Sequence, residues 1–571
     1  MSGAPSTSRW RAGLGLAVAL FGLNLALSFH NLWPTLWVTT RHELSVEVAG
    51  LVLLLALAGE LGRWPSRGVL RWLAVLVLLF TIARYMEVTA PALYGRRINL
   101  YWDAQHLPQV LAMLVEVMPA WQVWLITAGS VASLAGVYLA ARWLLGLLVS
   151  GLADARLRRL SLVLSGSLLI AYMAGLLHPQ INTLRWFSLP VSSTYAQQAG
   201  FVYRAVAGDV TLDTESNPLP PSNLAGLGGA DVLVLFFESY GATTLDLEDY
   251  ARALADARQT LNEAIVQNGY QVVSARVRSP TFGGGSWLAH SSFLSGIEIT
   301  DNQHYELLLT RQRHTLVQRF ANEGYRTVGL MPGLKGAWPE GTFYGYDKIY
   351  DAETLDYSGP AFGWWRIPDQ FALARFDALE VRAPQRAPLM TVMTTISSHA
   401  PFRPMPPYVS DWQVLLGAQP YPAVAAAEGP HGGGGGTMAL DYIAAVDYGL
   451  TYVAGYLKHR GGGDLVLIVI GDHQPPARVS GPDASWEVPV HVVTGKSDLV
   501  EVLKAEGFSE GLEPPAPALG PMHQLAPRLL RAFDGGQGTS RLADVPRTES
   551  VPLSAARQQS RVDVAGAVIR R

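Results

Sequence analysis

The sequence predicts a multi-pass membrane domain of about five helices, followed by an α/β domain with a central, mostly parallel sheet. Charged residues make up only 16% of the 571 residues, whereas soluble domains contain about 25%. The deficit is concentrated before residue 179, where long apolar stretches follow one another. After residue 229, short apolar runs alternate with helical patterns, and this alternation is typical of a sheet covered by helices.

Five stretches are apolar enough and long enough to cross a bilayer as helices, which takes about 20 residues each. The first has no small-residue cleavage site and is too long for a signal peptide, so we expect it to be retained as an anchor. The five predicted spans are residues 12–38, 45–62, 69–90, 121–148 and 159–177.

Arginine residues predict the orientation of these spans through the positive-inside rule. With the N-terminus in the cytoplasm, nine arginines fall in cytoplasmic segments and three in outer segments. An odd number of spans then places the chain after residue 178 outside the cytoplasm. The cytoplasmic arginines are Arg9, Arg11, Arg63, Arg67, Arg71, Arg142, Arg156, Arg158 and Arg159, and the outer ones are Arg41, Arg96 and Arg97.

The chain divides into four predicted parts: a transmembrane domain at 1–178, a linker at 179–228, an α/β domain at 229–534, and a polar C-terminal tail at 535–571. Apolar runs of strand length in the third part resemble strands buried on both faces. The predicted strands are Asp231–Phe237, Gln271–Val277, Arg326–Met331, Leu389–Thr395, Leu465–Ile470 and Val488–Val493.

Charge and cysteine content exclude several classes of function. The net charge of −3 provides no basic surface for nucleic acid. The chain has no Cys, which excludes disulfides, zinc–thiolate sites and a thiol nucleophile.

Polar side chains follow three of the predicted strands, at the edge of the sheet where α/β domains collect ligands. Glu238 follows the first, Asp472 and His473 follow the fifth, and Ser397-Ser398-His399 follows the fourth. Each alone is explained equally well as a polar cap at a strand end. Together, the carboxylates and the Asp-His pair form a ligand set for a divalent metal.

Three glycines precede Ser286 in the segment Pro280-Thr-Phe-Gly-Gly-Gly-Ser286-Trp287. Glycine permits close backbone approach and unusual torsions, and the residues after Ser286 have helical character. Ser286 is therefore predicted at a helix N-terminus, where backbone N–H groups favour an anion. A nearby metal would activate its hydroxyl as a nucleophile. The alternative is a glycine turn with Ser286 as an ordinary N-cap.

These motifs together resemble the lipoteichoic acid synthase and phosphoglycerol transferase branch of the sulfatase/alkaline phosphatase superfamily. The resemblance rests on Phe-Phe-Glu238-Ser, the Gly-Gly-Ser286 turn, Ser-Ser-His399-Ala-Pro-Phe and Gly-Asp472-His473-Gln, and it covers most of residues 10–530. It implies a sulfatase-like catalytic domain and one divalent metal, manganese before magnesium or zinc. The implied metal ligands are Glu238, Ser286, Asp472 and His473, with Ser286 as nucleophile and His399 near the substrate phosphate.

The segment that grips glycerol phosphate in those synthases departs from their pattern here. Trp338 is kept, but Met331 stands where they have a His, and Glu340 stands where they have an Arg. The phosphoglycerol substrate is therefore less certain than the reaction class. Lys335, Arg366 and His290 are the candidates for supplying the missing positive charge.

Two neighbouring classes of the superfamily fit less well. Formylglycine sulfatases need Pro and Arg two and four residues after the nucleophile, where this chain has Leu288 and His290. Phosphoethanolamine transferases of lipid A generally have disulfides, which this chain lacks. Three functions remain: a transferase with a phospholipid donor and a glycan or lipid acceptor, a hydrolase with water as acceptor, and a non-catalytic lipid- or glycan-binding envelope protein. The predicted location is the bacterial inner membrane, with the catalytic domain outside.

Overall fold

A computed structural model describes most of the chain outside the C-terminal tail. The described residues are 6–32, 35–94, 98, 103–104, 107–178, 183–207, 219–311, 313–335, 338, 340–362, 367–421 and 438–534. The predicted tail at 535–571 lies outside them.

The N-terminal part is helical, as the apolar stretches predict. Within the described residues, four helices are long and apolar enough to cross a membrane, namely Trp10–Ser28, Arg67–Leu93, Ala120–Leu152 and Ala155–Leu177. The described helices are α1 (Ser6–Ser28), α2 (Val46–Glu60), α3 (Arg67–Tyr94), α4 (Leu107–Val117), α5 (Ala120–Leu152), α6 (Ala155–Leu177) and α7 (Val191–Ala207), with short strands β1 (His30–Asn31) and β2 (Val38–Thr39) between α1 and α2.

The second predicted span is a shorter helix than expected. The 15 residues of α2 rise about 22 Å at 1.5 Å per residue, whereas a bilayer core is about 30 Å thick. Contacts at both of its ends show that α2 runs antiparallel to α6. The N–H of Leu44 donates to Trp186 at 2.9 Å, and Arg158 pairs with Glu60 at 3.0 Å. The chain therefore leaves α6 at the end of the bundle where α1 finishes.

The outer part contains an eight-stranded sheet, in which all six predicted strands are present. The strands are β3 (Asp231–Phe237), β4 (Gln271–Arg278), β5 (Arg326–Leu330), β6 (Lys348–Tyr350), β7 (Leu389–Thr394), β8 (Leu465–Gly471), β9 (Glu487–Thr494) and β10 (Ser509–Glu510). Their order in the sheet is β10-β4-β9-β8-β3-β7-β5-β6. Strands β8, β3, β7, β5 and β6 are parallel to one another, whereas β9, β4 and β10 form an antiparallel edge.

Both faces of the sheet are buried, because side chains alternate along each strand. In β3, Leu233, Leu235 and Phe237 enter one apolar core, which also includes Leu261 and Val453. Val232, Val234 and Phe236 enter the other, which includes Phe293 and Leu529. This double burial explains why β3 is an uninterrupted apolar run rather than an alternating pattern.

Helices cover the two faces and complete the domain. The larger ones are α10 (Ala255–Gln267), α11 (Ser286–Ser295), α12 (Asn302–Leu309), α13 (Leu316–Asn322), α15 (Asp369–Phe376), α16 (Met438–Arg460), α18 (Ser497–Ala505) and α19 (Leu525–Phe533). The shortest ones, of four to six residues, are α8 (Thr243–Asp246), α9 (Glu248–Ala253), α14 (Gly341–Tyr344) and α17 (Ala477–Ser480). Helix α17 also packs against α3 of the membrane bundle.

Candidate functional site

The two strand ends that bear the predicted ligands are neighbours in the sheet. Strands β3 and β8 are parallel, and their register pairs Phe237 with Gly471. Glu238 and Asp472 follow directly, so both carboxylates emerge at one edge. A Cβ at position 471 would lie 1.9 Å from the carbonyl oxygen of Tyr240, so glycine is required for this close approach.

The glycine turn presents Ser286 to this edge. The glycines at 283–285 have φ values of 67°, 142° and 78°, a region that other residues rarely adopt. The N–H of Gly283 donates to the carbonyl of Gln474 at 3.1 Å, which ties the turn to the segment after β8. Ser286 then begins α11, with Gly285 before it in the left-handed conformation.

The hydroxyl of Ser286 lies between a carboxylate and an imidazole. Ser286 Oγ donates to Glu238 Oε2 at 3.0 Å and is 3.1 Å from His473 Nε2. On the other side of the ring, His473 Nδ1 is 2.8 Å from the carbonyl oxygen of Gln474. Because a carbonyl only accepts, Nδ1 bears the proton and Nε2 directs its lone pair into the site.

Backbone and hydroxyl donors hold the two carboxylates in place. Asp472 Oδ1 accepts the N–H groups of Ser239 at 2.8 Å and of His473 at 2.7 Å, which leaves Oδ2 to face the site. Ser239 Oγ donates to Glu238 Oε1 at 2.9 Å. Sequence reasoning missed this role of Ser239, and its position beside Glu238 was the only signal.

The residues present fit a divalent metal. Glu238, Asp472 and His473 each offer a ligand atom within 4.8 Å of the others, and they are 6%, 1% and 1% exposed. Among the described residues, the ion-pair partners of the two carboxylates are histidines. Two buried carboxylates without Arg or Lys are costly, and a divalent cation with an imidazole ligand removes this cost.

The pKa of Asp472 shows the same imbalance. Burial and then the charge of Glu238 raise the pKa of Asp472 to about 6. Burial also raises the pKa of Glu238, but the rings of His473 and His399 outweigh it and leave that pKa below its usual value. Burial lowers the pKa of His473, and the two carboxylates reverse this to a net rise. A metal bound here would compete with protons.

A cavity of about 310 Å³ opens over Ser286. Two sets of its lining residues matter here: a set with ionisable or nucleophilic side chains, which we call the floor, and a set of apolar and aromatic side chains, which we call the wall. Trp338, the predicted substrate contact, lies in the wall and stacks on Tyr344 with ring centroids 5.6 Å apart. The floor includes Glu238, Ser286, His290 and His399, and the wall includes Trp287, Leu294, Tyr305, Met331, Leu334, Trp338, Tyr344 and Tyr346.

A buried carboxylate positions the loop that presents His399. Asp369 is 0% exposed and accepts the N–H groups of Ile396 at 3.0 Å and Ser397 at 2.8 Å. Burial raises the pKa of Asp369 to about 6. His399 lines the cavity, and its Nδ1 is 2.7 Å from the carbonyl oxygen of Ala400, so Nδ1 bears the proton.

The three candidates for extra positive charge differ in placement. Lys335 is exposed and follows Leu334, which lines the cavity. Arg366 lies outside the described residues. His290 is on the cavity floor, one helical turn after Ser286.

No protein-family model matches the chain, and no curated protein matches it. Solved structures do. The integral membrane protein lipooligosaccharide phosphoethanolamine transferase A from Neisseria meningitidis is 15% identical, with a TM-score of 0.45, over 91% of this chain and 95% of that one.

Two further solved structures are similar to part of the chain. The lipoteichoic acid synthase LtaP from Listeria monocytogenes is 15% identical, with a TM-score of 0.34, over 52% of this chain and 71% of that one. The phosphoglycerol transferase GacH from Streptococcus pyogenes is 11% identical, with a TM-score of 0.34, over 65% of this chain and 91% of that one.

Proposed function

We propose that the protein is a membrane-anchored, metal-dependent transferase of the bacterial inner membrane. It moves a phosphoglycerol-type or related phospho-alcohol group from a phospholipid to an envelope glycan or lipid through a covalent Ser286 intermediate. The observation that supports this most directly is the placement of Ser286 Oγ, 3.0 Å from Glu238 Oε2 and 3.1 Å from His473 Nε2, beside a buried metal-ligand set.

Glu238, Asp472, His473 and Ser286 would hold the metal, and Mn²⁺ is the ion we expect, with Mg²⁺ or Zn²⁺ as alternatives. When bound, this ion lowers the pKa of a coordinated hydroxyl and offsets negative charge on phosphoryl oxygens.

The chain's own groups account for the first half of the transfer. Ser286 Oγ forms a bond to phosphorus while the bond from phosphorus to the diacylglycerol oxygen breaks. The hydrogen bond of Ser286 directs its proton to Glu238 Oε2. His399, on the cavity floor, already donates through Nδ1 to Ala400, so it acts as the imidazolium. Its Nε2–H bonds the phosphate and gives its proton to the departing lipid oxygen.

The second half reverses these roles. A hydroxyl of the acceptor attacks phosphorus and gives its proton to His399, the bond from Ser286 Oγ to phosphorus breaks, and Glu238 returns the proton to Ser286 Oγ. The aromatic wall around Trp338 would contain the alcohol part of the transferred group. Helix α17 begins shortly after His473 and packs against α3, which favours a substrate that lies in the membrane.

The test compares Ser286→Ala with the conservative variant Ser286→Thr, using the detergent-solubilised full chain and labelled phospholipids. We expect Ser286→Ala to lower turnover by about 10³-fold or more, while Ser286→Thr keeps measurable activity because it retains a hydroxyl. Mass spectrometry of the Ser286 peptide should show the added phospho-alcohol. Undiminished turnover in Ser286→Ala would exclude the proposed nucleophile.

Product analysis separates the transferase from the hydrolase. A transferase links the phospho-alcohol to the added glycan or lipid, whereas a hydrolase releases it to water at the same rate with or without that acceptor. A non-catalytic binder would show neither product.

A further inference from the structure

One polar group on the cavity floor has no role in the mechanism above. His290 lies four residues after Ser286 in α11, and residues at this spacing lie on the same face of a helix. Both side chains line the same cavity. The position of His290 therefore places an imidazole in the same cavity as the Ser286 hydroxyl.

The ring of His290 is held in a fixed position. It packs on Phe236, with ring centroids 4.3 Å apart and planes tilted by 43°. Its Nε2 atom is buried and has no hydrogen-bond partner among the described residues. The nearest acidic atom is Asp472 Oδ2 at 3.9 Å, which is beyond hydrogen-bond distance. A buried polar atom without a partner is destabilising, so a ligand from outside the chain that bonds this nitrogen would remove that cost.

The surroundings of Nε2 indicate the chemistry of that ligand. The metal-ligand atoms that lie mutually within 4.8 Å belong to Glu238, Asp472 and His473, and His290 is not one of this group. Among the residues that the structure describes, those that line the cavity include no Lys or Arg. A phosphate oxygen that enters beside Ser286 therefore depends on imidazoles and neutral donors among the described side chains that line the cavity.

We propose that His290 is a further substrate-binding residue, whose Nε2–H donates a hydrogen bond to a non-bridging oxygen of the phosphoryl group that Ser286 attacks. This inference rests on the proposed function, because it requires a phosphoryl group above Ser286. A neutral imidazole then supplies part of the anion binding. Lys335 and Arg366 are also candidates for this binding. The packing on Phe236 fixes the direction of the N–H before the substrate arrives.

The binding test uses inorganic phosphate and the metal-loaded, detergent-solubilised full chain in a Ser286→Ala background, where no turnover is needed. His290→Phe keeps an aromatic ring on Phe236 but removes the donor. We expect its phosphate Kd to rise about tenfold, which is equivalent to about 1.4 kcal/mol. His290→Gln retains an N–H donor at a similar reach, and we expect it to recover at least part of the affinity.

His459→Phe is a matched control. His459 also stacks on an aromatic ring, Trp412, at 5.0 Å, and also lies near a carboxylate, Asp377, at 3.3 Å, but it is in the last turn of α16 and does not line the cavity. We expect its phosphate Kd to match that of the parent protein. Metal affinity is measured for every variant by titration of Mn²⁺.

Three results would overturn the proposal: an unchanged phosphate Kd in His290→Phe, an equal loss in His459→Phe, or a Mn²⁺ affinity that falls in step with phosphate affinity in His290→Phe. The last would make His290 a metal ligand. In the Ser286 parent, His290→Phe should raise KM for the lipid donor by a similar factor. Failure of the Ser286 nucleophile would appear in the turnover of Ser286→Ala, whereas failure of this inference appears in phosphate binding.

Discussion

A buried carboxylate lies at each end of strand β3, Asp231 at its start and Glu238 directly after its last residue. Of the two, only Asp231 is paired with arginines among the described residues. At the start of the strand, Asp231 accepts from Arg386 at 2.7 and 2.6 Å, and it also bonds Arg460 and the N–H of Leu389. At the other end, Glu238 has Asp472 as its neighbour and no described Arg or Lys as an ion-pair partner.

This difference is the one we expect between a structural carboxylate and one that binds a metal. Removing a carboxylate from water costs several kcal/mol, and two guanidinium groups offset that cost within the fold at Asp231. At Glu238 and Asp472, no described Arg or Lys offsets this cost. Such an imbalance is characteristic of a site that binds a cation or performs chemistry.

The largest effect should follow from Asp472→Asn, which removes one of the two unmatched charges. We expect turnover to fall by about 10³-fold or more, because a charged metal ligand is lost. The metal-free protein should become more stable by about 1 kcal/mol, because a buried charge is neutralised. Turnover, bound metal by mass spectrometry and thermal unfolding in chelator provide the measurements. Full activity would contradict the metal site.

Asp231→Asn should have the opposite pattern. It leaves Arg386 and Arg460 without their anion, so we expect a loss of about 3 kcal/mol in stability and a Tm lower by several degrees. Activity per folded molecule should be unchanged. Asp464→Asn is the control, because its 3.3 Å ion pair with Lys496 is exposed, and exposed pairs contribute about 0–1 kcal/mol. An equal loss of Tm in both variants would remove the distinction.

The pH dependence of stability should show the Asp231 contribution directly. Burial raises the pKa of Asp231, but its bonds to Arg386, Leu389 and Arg460 outweigh this and lower it below the usual 3.8. The unfolded chain then binds more protons near pH 3.8, so this contribution is complete above that pH and is lost as pH falls through the folded pKa. Thermal unfolding from pH 7 to pH 3 should show a difference between the parent and Asp231→Asn that shrinks at the acidic end. A constant difference would contradict the pairing.

The smallest effect should come from Lys335→Ala. Lys335 is exposed, and an exposed charge near a mobile anion is screened by salt. We expect KM for the lipid donor to rise by less than about fivefold and the difference to disappear at high salt. A larger, salt-independent rise would show that the side chain enters the cavity when substrate binds.

The apolar patterns predicted the strands and the membrane helices, because burial on both faces and a bilayer environment each leave a continuous apolar run. They did not predict the antiparallel edge formed by β9, β4 and β10, because strand direction has no effect on periodicity. The length of α2 was overestimated because apolar residues continue past Glu60, where the helix ends.

The candidate site was predicted where motif residues adjoin a strand or turn, as with Glu238, Asp472 and the glycines before Ser286. Other contacts depend on distant segments. Asp231 and Arg386 are 155 residues apart. The surroundings of His290 Nε2 are formed by Phe236 and Asp472, which are also distant from it in the sequence. A single sequence contains no signal for such pairings.

The contact between α17 and α3 has a kinetic consequence. A catalyst fixed beside the bilayer meets its donor by lateral diffusion in two dimensions, so the encounter rate follows the mole fraction of the donor among the surrounding lipids. Diluting the donor with inert lipid in the same vesicle should slow the enzyme, whereas adding more donor in separate vesicles should not accelerate it. Under the proposed function, the composition of the surrounding membrane sets the relevant substrate concentration.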